Sequence, residues 1–182
     1  MFFAHGFGGY LVTRHLVKRA DEKTHSASLF SRYILWGIFC SILPDLDLLY
    51  FYSLDNRQHL HHSYWTHMPV FWIFLACAIY SIGHGFFKKS IGLYCLILLA
   101  GTILHLLLDT VAGGIHWLYP WSDYKFQWFV IQPEYKWWVF NYIFHWTMLM
   151  EVTLMLLAYV VYRRDQRYSH RTQEQTQQVS PT

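Results

Sequence analysis

The chain has 182 residues, of which 54% are apolar, 20% aromatic and only 14% charged. A water-soluble domain carries about 25% charged residues, and a chain this short cannot bury so much apolar surface in one aqueous core. An ordinary soluble domain is therefore excluded, and the small net charge of +3, carried by Lys and Arg clusters that flank apolar runs, fits membrane anchoring rather than a nucleic-acid partner.

Residues 2–17 are short and glycine-rich, with Gly6, Gly8 and Gly9, and form a candidate fifth membrane element. His5, Arg14 and His15 break the basic–apolar–small order of a cleavable signal, so none is expected. Four apolar stretches follow, at about 33–52 (interrupted by Pro44, Asp45 and Asp47), 68–87, 91–112 and 137–162. Each approaches the ~20 residues that a helix needs to span the hydrocarbon core, and in lipid a helix satisfies its own backbone polar groups. The expected fold is all-α: a polytopic membrane bundle of four to five membrane helices over residues 1–162. The polar tail 163–182, rich in Gln, Ser and Thr, is expected to be disordered and cytoplasmic. Cys40, Cys77 and Cys95 lie inside apolar runs without CxxC spacing and read as packing residues.

Charge predicts the orientation. If the 33–52 stretch leaves the cytoplasm, Arg14, Lys18, Arg19, Lys23, Arg32, Lys88, Lys89, Arg163, Arg164, Arg167 and Arg171 are inside, 11 of the 14 basic residues, and only Arg57, Lys125 and Lys136 are outside. That is the excess expected of a cytoplasmic-membrane protein. On this map Asp45, Asp47, His59, His61, His62, His67, His105, Asp109, His116 and Asp123 collect at the outer face, with His5 at the same level. The outer loop 117–146 is dense in Trp, Tyr and Phe, residues of the headgroup belt.

Three segments carry chemistry. In LLAGTILHLLLDT, His105 and Asp109 are four apart and share one helix face; buried in apolar surroundings, they need each other or a metal. In LPDLD, Asp45 and Asp47 follow a proline. A regular helix would not put positions i and i+2 on one face, but in a turned segment one could bind metal while the other orients a histidine. HHSYWTHMP brings His61, His62 and His67 within seven residues, and imidazole is the commonest metal-ligating side chain. Mixed His and Asp ligands suit a divalent ion, zinc foremost with manganese or iron as alternatives, and the excess of ligands allows one or two ions. Asp109 or Asp45 would be the bridging carboxylate.

Taken in order, His5, LPDLD at 43–47, His62 with Thr66 and His67, His105 with Asp109, and GGIHWLYPWS at 113–122 resemble the bacterial inner-membrane-associated metal-dependent hydrolases (YdjM-like) over about residues 1–125. That family is similar to zinc-dependent phospholipase C and the related single-strand nucleases, which are helical enzymes that cleave phosphoesters. The resemblance implies His5, Asp45, Asp47, His62, His67, His105 and Asp109 as metal ligands. Two departures stand out. Ser63 follows His62 where the family usually has Arg, and the H-x3-E of the zinc phospholipases is missing, since Leu149 lies four after His145 and Glu151 six after it.

The expected function is hydrolysis of a phosphoester or other ester in a lipid or lipid-linked substrate, with Asp47 and His62 as catalytic residues, Asp47 orienting a ligand or accepting its proton. Two alternatives stand beside it: a scaffold held by a structural metal, and a metal or proton carrier using His105, His145 and Glu151.

Overall fold

The computed structural model describes residues 3–20, 27–59, 61–87 and 91–179. Among the described residues the chain is helical, as expected: α1 (Ala4–Ala20), α2 (Ala27–Ile42), α3 (Asp47–Ser53), α4 (Pro69–Phe87), α5 (Ile91–Asp109), α6 (Trp138–Ile143) and α7 (Met148–Val179). Short 3-10 turns cover Leu43–Leu46, His61–Ser63 and Trp65–His67. An isolated antiparallel bridge between Ile115 and Phe126 folds the aromatic loop back on itself. Trp128 and Phe129 donate backbone N–H bonds to the Thr110 and Val111 carbonyls, which pins that loop over the end of α5.

Among the described residues, three segments are long and apolar enough to cross a bilayer: Ser28–Ser53, Pro69–Phe86 and Ile91–Asp109. The expected count was four to five. The 137–162 stretch falls short because it breaks between α6 and α7, leaving too short an apolar run before Arg163. In α1 the basic residues from Arg14 onward shorten the apolar run. Large apolar side chains point outward from the spans, including Leu35 (67% exposed), Phe74 (72%) and Phe86 (79%), as a lipid-facing surface requires. The tail also differs from expectation: α7 continues unbroken to Val179. Arg, Gln and Glu are good helix formers, and no proline interrupts before Pro181.

Helix packing is unusually close where α1 and α2 run antiparallel. A Cβ on Gly9 would collide with the Ser41 side chain and lie 2.8 Å from the Gly37 carbonyl, and one on Gly37 would run into Thr13. Small residues let backbones approach in this way in lipid, where apolar side chains gain little by leaving the bilayer. Val17, Tyr33 and Ile97 close the inner part of the α1–α2–α5 contact, and Cys40, Trp72, Leu98, Leu106 and Ile115 fill the core under the outer turns. α7 lies along α1: a Glu151 carboxylate oxygen accepts from the Phe3 and Ala4 N–H groups at 2.6 and 3.2 Å, and Arg14 pairs with Asp165. Glu151 thus caps the amino end of α1, which holds His5 in its first turn.

Candidate metal centre

Four ligand atoms converge where α2 ends, α5 ends and the preceding loop turns into α4. Asp45, His67, His105 and Asp109 each offer one, all within 4.8 Å of one another. Two come from α5 and one each from two 3-10 turns. His105 and Asp109 stack on one face of α5, with His105 Nε2 3.0 Å from Asp109 Oδ2. The 3-10 turn Leu43–Leu46, begun by Pro44, swings Asp45 towards them, Oδ1 lying 3.6 Å from His105 Nε2 and 3.8 Å from His67 Nε2. The turn Trp65–His67, tied down by the Trp72 indole donating to the Thr66 carbonyl at 2.7 Å, brings His67 Nε2 to 3.7 Å from Asp109 Oδ2.

These spacings suit a small ion. Ligand atoms 2.0–2.1 Å from a tetrahedral zinc lie about 3.3 Å apart, inside the observed 3.0–3.8 Å range. His67 Nε2 and His105 Nε2 are both buried and without a hydrogen-bond partner, a costly arrangement that a cation would relieve. The opposite nitrogens are anchored. His105 Nδ1 donates to the Ser41 carbonyl at 2.8 Å, and His67 Nδ1 donates to Asp47 Oδ2 at 2.9 Å. Both bonds place the free lone pair on Nε2, facing the cluster.

Asp47 therefore lies behind His67, on the side away from the four-ligand group, where it also accepts from the Thr66 hydroxyl. His5, almost fully buried, stacks on His105 with ring centroids 3.9 Å apart and reaches Asp109 at 3.1 Å and Asp45 at 3.5 Å. His62 Nε2 lies 3.5 Å from Asp109 Oδ2, and its ring occupies space that a Cβ on Gly113 would fill. His61, His62 and His67 form a second group able to hold an ion. Six residues of the implied ligand set thus gather around Asp109, with His61 nearby, and the seventh, Asp47, stands behind His67. His116 and Asp123 belong to neither group, and His59 pairs with Asp55 at 2.8 Å instead. Sequence reasoning missed the anchoring roles of the Ser41 carbonyl and of Glu151. Glu151 stood out only as an acid among apolar residues.

The electrostatics outside the spans favour a cation. Burial, then the proximity of His62 and His67, lowers the His61 imidazole to about 4, so it is neutral at pH 7 and able to ligate. Burial alone would lower His67, but the carboxylates of Asp109, Asp45 and Asp47 outweigh it and raise the imidazole to about 11. A group raised in the folded state stabilises it fully below the unfolded value of about 6.5 and loses that contribution as pH climbs towards the folded one. Binding a metal must displace this proton. Between pH 6.5 and 8.5, the gain in thermal stability on adding zinc should increase with pH, which melting in detergent with and without the ion will show. A gain independent of pH would mean that His67 is not a ligand.

The sequence profile of a family described as YdjM inner membrane protein matches residues 1–169. Inner membrane protein YbcI of Escherichia coli (strain K12) is 33% identical over 99 residues, covering 52% of this chain and 57% of that protein. The match thus spans little more than half the length of this relative. No solved structure matches.

Proposed function

The chain belongs to the YdjM inner membrane protein family, and from that premise we propose that it is a membrane-bound metal-dependent hydrolase acting on a phosphoester or other ester of a lipid or lipid-linked substrate. The observation that carries this reading is the convergence of two buried, unpartnered imidazole nitrogens with two carboxylates, surrounded by more ligands than one ion can use. Asp45, His67, His105 and Asp109 would hold the ion, zinc foremost. His5, His61 and His62 are available to a second. A bound divalent ion supplies Lewis acidity and activates water for attack at phosphorus or carbon.

The chain's own residues supply the rest. Asp47 orients His67 and takes up the charge of its imidazolium. The side chains of His67, His105 and Asp109 are at most 2% exposed, whereas that of Asp45 is 24% exposed, so an ester reaches the cluster on the Asp45 side. His62, 20% exposed at the rim, is placed to donate a proton to a leaving group. The excess of basic residues on one side of the charge map supports a cluster at the outer face of the cytoplasmic membrane. A single cysteine replacing exposed Asp123 should then react with a membrane-impermeant maleimide in intact spheroplasts, and protection there would reverse the orientation.

One observation favours a second reading. Four protein ligands fill a tetrahedral ion completely, as in a structural site that ties helices together. The two readings separate in a turnover assay. Purified protein in mixed micelles should release product from phosphatidylglycerol or bis-p-nitrophenyl phosphate, with activity lost on chelation, restored by zinc or manganese, and absent in Asp109→Asn. Metal retained in full without turnover on phosphodiester or carboxylic ester substrates would leave the structural ion.

A further inference from the structure

A groove of about 530 Å³ runs between α1, α2 and α7. Its walls are Phe3, Phe7, Ile38, Ile42 and Tyr159, and at one end it is lined by His5 and Asp45. Its other end is closed by Tyr10 and Tyr162, which meet edge to face with centroids 6.4 Å apart; the Tyr10 hydroxyl is bound to Asp165 at 3.3 Å. Volume and lining are those of a small-molecule site: mostly apolar, with a few convergent polar groups.

Three observations say what the groove fits. It lies among helices that carry outward apolar side chains, so its contents come from the bilayer. Its polar end is Asp45, the most exposed of the four clustered ligands, together with His5, which contacts the two α5 ligands and Asp45 itself. Its width is kept by a residue whose smallness the packing does not demand: a Cβ on Gly6 would sit at an ordinary 3.4 and 3.6 Å from Ile42 and Ile38, unlike the colliding Cβ positions at Gly9 and Gly37. A second apolar recess, lined by Leu43, Tyr50, Phe71 and Leu75, meets Asp47 instead, the carboxylate turned to the back of His67.

Resting on the hydrolase reading, we propose that the α1–α2–α7 groove receives an acyl chain of a bilayer glycerophospholipid and so presents that lipid's ester to Asp45 and His5. The chain lies along the face of α1 formed by Phe3, Gly6, Phe7 and Tyr10, spaced as one helical stripe, with its methyl end at the tyrosines. The substrate class is therefore a phospholipid that enters sideways from the membrane.

The test uses the full chain in nanodiscs containing phosphatidylglycerol with a photoreactive diazirine on its acyl chain. Peptide mapping after illumination should place the label on the segments holding Gly6 to Tyr10 and Tyr159 to Tyr162. Two independent plugs, Gly6→Leu and Ile38→Trp, should each cut that labelling about tenfold while leaving the label at outward-facing Phe74 and the bound metal unchanged. Labelling of the groove no stronger than at Phe74, labelling that survives both plugs, or cross-linking of a second copy of the chain into the groove would overturn the proposal. Groove labelling with no bound metal would overturn the hydrolase reading and leave the groove standing. Bound metal with no groove labelling would do the reverse.

Discussion

Removing either α5 ligand, as His105→Ala or Asp109→Ala, should weaken zinc binding by more than about a hundredfold, beyond the upper end of what loss of an outer-shell partner costs. His105 supplies one of two free imidazole nitrogens, and Asp109 contacts His5, His62, His67 and His105. Asp47→Asn should cost less, about tenfold to a hundredfold, because that carboxylate acts only through His67. His116→Ala is the control: it is also a buried histidine but is outside both ligand groups, so affinity should not change. Competition against a chromophoric chelator in detergent reads all four. Equal losses in His116→Ala and His105→Ala would mean that the histidines act through folding and not as ligands.

Gly37→Leu should be the most destabilising change outside the cluster. Even a Cβ at this position overlaps the Thr13 side chain, and overpacking a tight core typically costs about 1–3 kcal/mol. Here the cost should reach or exceed the top of that range, because leucine adds bulk where the Thr13 side chain already fills the close crossing of α1 on α2. Separating these helices withdraws His5 and Asp45 from the cluster, so metal affinity falls together with stability. The smaller Gly37→Ala should be partly rescued by Thr13→Gly, which removes the atoms it strikes; contacting residues couple in this non-additive way. Thermal unfolding of the single and double variants measures the coupling, and simple additivity would show that the close crossing does not limit stability.

Much of this centre is legible in the sequence because helical spacing carries it. His105 and Asp109 sit on one face of α5 by the i, i+4 rule alone, and the histidines of HHSYWTHMP declare themselves by density. The Asp45–Asp47 pair was not resolvable that way. A 3-10 turn after Pro44 sends the two carboxylates to opposite sides of His67, and spacing of two residues says only that they diverge. His5 was legible only through a family resemblance, because its place depends on a contact 104 residues away in sequence, with Asp109. Glu151 was legible as an anomaly and not as a cap, since its partners Phe3 and Ala4 are at the other end of the chain. The same contact counts against a relay, because the carboxylate is spent on α1 backbone N–H groups. The His145 ring contacts its neighbour Thr147 at 3.0 Å. The count of spans was legible only approximately, because hydropathy alone does not reveal the turn between α6 and α7.

Elemental mass spectrometry of the purified protein, beside the His105→Ala, Asp109→Ala double variant, reads whether the His/Asp cluster holds a divalent metal. The expected result is about one or two zinc, manganese or iron ions per chain, absent from the variant. No metal in either protein, after metals are added back and free ions removed, would contradict it and leave a His/Asp network that only ties α1, α2 and α5 together.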